Sequence, residues 1–173
     1  MVNFDNGEVK VITEDLLGRL GFDPSTDVVV EVDERLPTGT LELHGLDPIH
    51  LFAESGALED PQRVRQLSEE GSFEALGRLL LEARDRLDPD FGGPALDADI
   101  SLPHRVAWDI AIVGRLTRLG SRVQRQRRVY QFRHRHGFSD SSDESFAELW
   151  DGEGLTWAEI TGLSDRALAA SAA

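Results

Sequence analysis

Phe73, Leu76, Leu80, Ala83 and Leu87 recur at spacings of 3, 4, 3 and 4 residues, the period of an α-helix with one apolar face. Such a helix is stable in water only when that face lies against another apolar surface, so the chain must supply a second layer. The N-terminal third offers one. Val28-Val29-Val30-Glu31-Val32 is a β-branched run, Thr40 to His44 alternates, and Ile49 to Ala53 follows after Gly45 to Pro48. Pro37-Thr38-Gly39 reads as the first turn between them. A parallel crossover takes about a dozen residues or more, and these loops are shorter. The expected sheet is therefore a small antiparallel meander over residues 8–54, with Val9 to Ile12 as an opening apolar run. A short helix capped by Thr13 and stopped by Gly21 separates that run from the rest.

From residue 57 onward the pattern is helical. Asp60-Pro61 reads as the start of a helix that Gly71 ends, Ser72 as the cap of the striped helix, and Asp88-Pro89 as its stop. Ser101 and Pro103 open a long apolar helix through Trp108 to Leu119, broken at Gly120-Ser121. Val129-Tyr130-Gln131-Phe132 reads as a strand. Ser141 to Glu144 and Thr156 to Glu159 have capping-box spacing, each opening a closing helix. No linker divides the chain. The class implied is α+β, a small antiparallel sheet packed against a mainly helical remainder. It is expected as one domain of 173 residues, strand-rich over 1–56 and helical over 57–173.

The absence of cysteine removes disulfides, thiolate nucleophiles and Cys-type metal sites. No apolar run approaches the roughly 20 residues of a membrane span, and the first residues lack the basic and apolar regions of a secretory signal. A cytoplasmic protein with no membrane association is expected. The sequence holds no Walker A loop, G-x-G-x-x-G, H-E-x-x-H, G-x-S-x-G or EF-hand loop, so no cofactor is implied and the balance leans against an enzyme.

Charge is the feature that singles out a region. The chain carries −14 overall, and seventeen of its eighteen basic residues are arginine, a bias that GC-rich coding also produces. Residues 105–136 hold nine arginines against one acid, Asp109, a net of +8 that leaves −22 on everything else. Within them, Arg122, Arg125, Arg127, Arg128, Tyr130, Phe132, Arg133, His134, Arg135 and His136 form the candidate binding surface. Three uses are open. The stretch is the internal counter-charge of an acidic protein, or a surface for a protein partner or self-association. Alternatively, its arginines contact phosphates while Tyr130 and Phe132 stack on bases. A non-enzymatic protein-binding or self-associating domain is the leading expectation, and a nucleic-acid or phosphate-ligand binder the alternative.

A third expectation is a metal-dependent enzyme. On a strand, His134 and His136 share a face, and His104 or the loop carboxylates Asp88, Asp90, Asp97 and Asp99 would complete a ligand set. Arg133 and Arg135 oppose a cation there. His44 and His50 match no known ligand spacing, and their register cannot be read from one sequence. The acid pairs Glu59-Asp60, Glu69-Glu70 and Asp143-Glu144 sit at helix ends, where carboxylates favour N-termini. Leu155 to Ser164 bears a superficial likeness to the helix-turn-helix of bacterial regulators. Asp165 to Ala170, with only Arg166, has nothing with which to read a major groove. A terminal helix packed through Trp157 and Ile160 is expected instead.

Overall fold

The computed structural model describes residues 5–35 and 38–171. Residues 1–4, which carry the reading of the N-terminus, and Pro37 of the expected first turn lie outside them. The fold is α+β, and the chain divides into two compact units, Met1–Leu87 and Asp88–Ala173.

The first unit opens with α1 (Asn6–Leu20), capped by the Asp5 carboxylate and closed by Gly21 in the left-handed region at φ 69°. Val9 to Ile12 is therefore helical, not a strand. Val9, Ile12, Leu16 and Leu20 form one buried stripe, a helical period that the β-branched residues at its start conceal. Thr13 lies inside the helix, its hydroxyl donating to the Val9 carbonyl at 2.8 Å. Next come β1 (Val28–Asp33), β2 (Leu41–Leu46) and β3 (Ile49–Glu54), in the order β1-β3-β2. The sheet is mixed rather than an antiparallel meander: β2 pairs antiparallel with β3, but β1 runs parallel to it, Val28 opposite Ile49 and Asp33 opposite Glu54. Loop length restricts only consecutive strands, and β2 intervenes between β1 and β3, so their connection is long enough for parallel pairing.

Central β3 buries Ile49, Leu51 and Ala53 on one face and directs His50, Phe52 and Glu54 to the other. A second ribbon, β4 (Glu59–Asp60) with β5 (Arg63–Leu67), occupies the place expected for a helix from Asp60 to Gly71. The strand-rich part thus extends beyond residue 56. The striped helix, α2 (Glu69–Leu87), starts three residues before Ser72. Ser68 supplies the cap, accepting from the Gly71 N–H at 3.0 Å, and Ser72 is buried inside the helix. Leu76, Leu80 and Ala83 are buried, Phe73 is half-buried and Leu87 is exposed. α2 lies against α1, β2 and β3.

In the second unit, α3 (Leu102–Arg118), α4 (Arg125–His136), α5 (Asp140–Asp151) and α6 (Trp157–Ser171) each touch the other three. Ser101 caps α3 and Pro103 sits in its first turn, as the sequence implies. The capping box of α6 forms as expected: Glu159 accepts from the Thr156 N–H at 2.8 Å and Thr156 Oγ1 from the Glu159 N–H at 3.3 Å. α6 then continues without a turn through Gly162 to Ser171, so no helix-turn-helix exists. α5 is capped by Ser139, two residues ahead of the expected Ser141. Residues 129–132, expected as a strand, belong to α4. The long 88–101 connection is anchored by buried Phe91, whose carbonyl accepts from the Trp157 N–H at 2.8 Å and whose ring stacks on Trp108. Among the described residues no helix is long and apolar enough to cross a membrane.

Gly114 marks the closest approach of α3 to α5: a Cβ there would overlap the backbone carbonyl of Trp150, whereas one at Gly162 would meet nothing within 4 Å. Gly114→Ala should lower the unfolding free energy by about 1–3 kcal/mol through overpacking. Gly162→Ala should raise it by about 0.5–1 kcal/mol by restricting the unfolded chain. Thermal denaturation of the two variants beside the parent checks both signs.

Candidate functional site

Making residues 125–136 a helix sorts its side chains by a period of 3.6 instead of 2. Val129, Phe132 and His136 point inward and are buried. Arg128 and Arg133 flank that stripe and are held by acids. Arg128 Nη1 donates to Asp109 at 3.2 Å, and the Arg133 guanidinium clasps Asp143 in a forked pair, with Nε donating at 2.7 Å. Arg133 also lies over the Tyr130 ring. Arg125 sits over Phe146 and Trp150, 5.2 and 5.8 Å from their centroids. Arg118 caps the end of α5, donating to the carbonyls of Trp150 at 2.7 Å and Gly152 at 2.9 Å. Much of the basic segment is thus internal counter-charge.

The outward face carries what remains. Arg127, Gln131 and His134 lie along its centre, with Tyr130 and Arg135 to either side, and all are exposed. Phe138, just past the helix, is 64% exposed and meets the His134 ring edge-on at 5.5 Å. An open hollow of about 420 Å³ lies at this end of α4, lined in part by His134, Phe138, Leu168 and Ser171. Of the ten candidate residues, the structure therefore presents Arg127, Tyr130, His134 and Arg135 on one face. Arg122 is exposed just ahead of the helix, and Phe132 and His136 are withdrawn into the core.

His134 and His136 cannot share a metal. On a helix two residues apart they point about 200° away from each other, and His136 is fully buried. Its Nδ1–H donates to the Phe132 carbonyl at 3.1 Å, so Nε2 of the neutral ring accepts from the Ser164 hydroxyl at 2.8 Å. Its ring stacks on Phe132 with centroids 3.8 Å apart. His104 donates to Asp165 at 2.8 Å and meets the Trp157 ring edge-on. Asp88 accepts from the Asp90 N–H, as turn aspartates do, and Asp97 and Asp99 are exposed. The expected His134–His136–carboxylate centre does not assemble. Of the acid pairs, Asp143 serves Arg133, Glu69-Glu70 stands in the first turn of α2, and Glu59-Asp60 lies in a strand.

The structure instead gathers three groups from separate strands. Glu31 of β1, His44 of β2 and His50 of β3 each place a ligand atom so that all lie within 4.8 Å of one another, the only such set of metal-ligating residues among those described. His50 Nε2 meets Glu31 Oε2 at 3.0 Å, and His44 Nε2 meets Glu42 Oε2 at 2.7 Å. The His44 ring stacks on Phe52 and stands edge-on to His50 at 5.4 Å. Strand pairing brings them together, and a β-bulge lies at the meeting point: His44 and Gly45 together face His50, and the register shifts between Leu43 and Gly45. A Cβ on Gly45 would lie 3.5 Å from that of His50 and 3.2 Å from the Pro48 carbonyl. The other acids on this face are engaged. The Arg35 side chain, hydrogen-bonded to Asp33, holds that carboxyl down to about 2, and hydrogen bonds from Thr38 and Thr40 hold Glu54 below its usual value. The sequence names both histidines, but nothing local shows that strand pairing brings them together or that Glu31 joins them.

No protein-family model matches the chain, and no curated protein and no solved structure matches it either.

His136 has a measurable consequence. Burial, which strips water from its charged form, is the main cause holding its pKa below 6.5. His104 pushes the same way, and the Phe132 carbonyl and Asp165 push against it. A depressed folded value means the unfolded chain binds the proton first, so this stability is complete above 6.5 and is lost as pH falls through the folded value. The melting temperature should therefore decline as pH drops below 6.5, and His136→Gln should flatten that part of the profile. Thermal melts across pH 5–8 read the difference.

Proposed function

We propose that the chain is a non-enzymatic binding domain that takes an acidic segment of a protein partner along the outer face of α4. One observation carries the reading: Arg122, Arg127 and Arg135 meet no acid among the described residues. Arg127 and Arg135 share the outward face with Tyr130, 48% exposed, with Arg122 exposed ahead of the helix and Phe138 past its end, while Arg118, Arg125, Arg128 and Arg133 are fastened to carbonyls, rings and carboxylates. Free guanidinium forks suit carboxylates in pairs. Exposed aromatic rings supply the apolar anchor that a charged contact alone lacks, and the hollow beside His134 and Phe138 has room for a side chain.

A nucleic-acid reading has less support. Phe132, the second stacking platform it needs, is buried against His136, and three free arginines neutralise few phosphates in a protein of net charge −14.

A fluorescein-labelled peptide of alternating Asp, Glu and Leu tests the proposal by anisotropy. Binding should weaken with added salt and fall by about tenfold or more in Arg127→Glu/Arg135→Glu, as expected when charge-assisted contacts are reversed. Tyr130→Ala should also weaken it. Tighter binding of a single-stranded oligonucleotide of equal length would overturn the reading in favour of phosphate recognition. Self-association in sedimentation that the double variant abolishes would overturn it in favour of a second copy as occupant. No binding by peptide, oligonucleotide or second copy would remove α4 as a docking face.

A further inference from the structure

We propose that Glu31, His44 and His50 form a binding site for a divalent transition-metal ion of the Zn²⁺ class on the outward face of the three-stranded sheet. The donor set is two imidazoles and one carboxylate, a combination that suits borderline ions and is poor for Ca²⁺ or Mg²⁺, which prefer all-oxygen shells.

Geometry carries the case. Bond lengths of about 2.0–2.1 Å place neighbouring ligand atoms of a tetrahedral zinc about 3.3 Å apart. His50 Nε2 and Glu31 Oε2 already stand at 3.0 Å, and Glu31, His44 and His50 each offer one ligand atom within 4.8 Å of the others. An ion between them takes the place of the His50–Glu31 contact, with His44 as the third ligand.

Support from the surrounding shell is in place. Glu42 holds His44 through Nε2, Phe52 stacks on the flat of its ring, and the backbone pairing of β1 and β2 to β3 fixes the spacing of all three. Carboxylates behind ligating histidines fix ring orientation in this way. Gly45 keeps the space beside His50 open: a Cβ there would lie 3.5 Å from that of His50. Asp33 and Glu54 are tied to Arg35 and to the Thr40 amide, which leaves Glu31 against His50 and Glu42 against His44. Three protein ligands on an exposed face leave a fourth position open to water.

Titration of the purified full chain with Zn²⁺ in competition with a chromogenic chelator tests the assignment. Binding of one ion per chain is expected, with Mg²⁺ not competing. Substituting Co²⁺ should give the strong visible absorption of a tetrahedral N/O site. His44→Ala and His50→Ala should each abolish the competition, Glu31→Gln should weaken it, and Glu42→Gln should cost about tenfold by loosening His44. His134→Ala, in the other unit, should leave it unchanged. Circular dichroism confirms folding, and the near-isosteric Glu31→Gln decides the matter if an alanine variant unfolds. Absence of one-to-one binding, or binding that survives His44→Ala/His50→Ala or depends on His134, would overturn the site. None of these outcomes bears on peptide binding by α4.

Discussion

Asp109 is the only acid in a stretch of nine arginines, and it meets Arg128 at 3.2 Å with both side chains only 14% exposed. Charges so far removed from water are tolerated only in pairs. This contact joins α3 to α4 and, with Arg133 on Asp143 at the opposite flank, fixes the rotation of α4 about its axis. Once that rotation is set, Val129, Phe132 and His136 must face the core, and Arg127, Gln131 and His134 must face solvent. The candidate docking surface is thus what remains after the helix has been fastened.

The internal arginines perform three different tasks, and the guanidinium group suits each. Arg118 bridges two carbonyls at the end of α5, where a cation also meets the negative end of the helix dipole. Arg125 lies across the Phe146 and Trp150 rings, and Arg133 grips a carboxylate with a fork. A lysine ammonium has neither the plane nor the spread of donors for the last two. The +8 of residues 105–136 is therefore not one patch: most of it neutralises or braces its own unit, and a minority faces outward.

Features whose causes lie within a few residues were legible in the sequence. The stripe at Leu76, Leu80 and Ala83, the Ser101 cap, the Thr156–Glu159 box and the strand at residues 28–32 all depend on neighbours along the chain. Features decided by distant pairing were not. Nothing near β1 says that it will run parallel to β3, and residues 63–67 become a strand only because Glu59 and Asp60 pair with them. Val129 to Phe132 has strand-forming residues at its centre. Its apolar positions 129, 132 and 136 nonetheless follow a helical period, and burial of that stripe overrides local preference. The difference has chemical consequences, because on a strand His134 and His136 converge and on a helix they diverge.

The five histidines show how far surroundings, rather than residue type, decide chemistry. His136 is sealed in the core, where burial favours the neutral ring, and both its nitrogens are occupied. His104 is tied to Asp165 beside an indole, and His134 stands in solvent on a basic helix that repels cations. Only His44 and His50 have imidazoles close to each other and to the carboxylate of Glu31. They are brought there by the antiparallel pairing of β2 with β3, which no pattern of spacing encodes. A ligand set of this kind is a product of strand register: a slip of one position in β2 would turn His44 to the other face of the sheet and disperse the cluster. The pairing that builds the hydrophobic face of β3 therefore also assembles the polar site on its reverse.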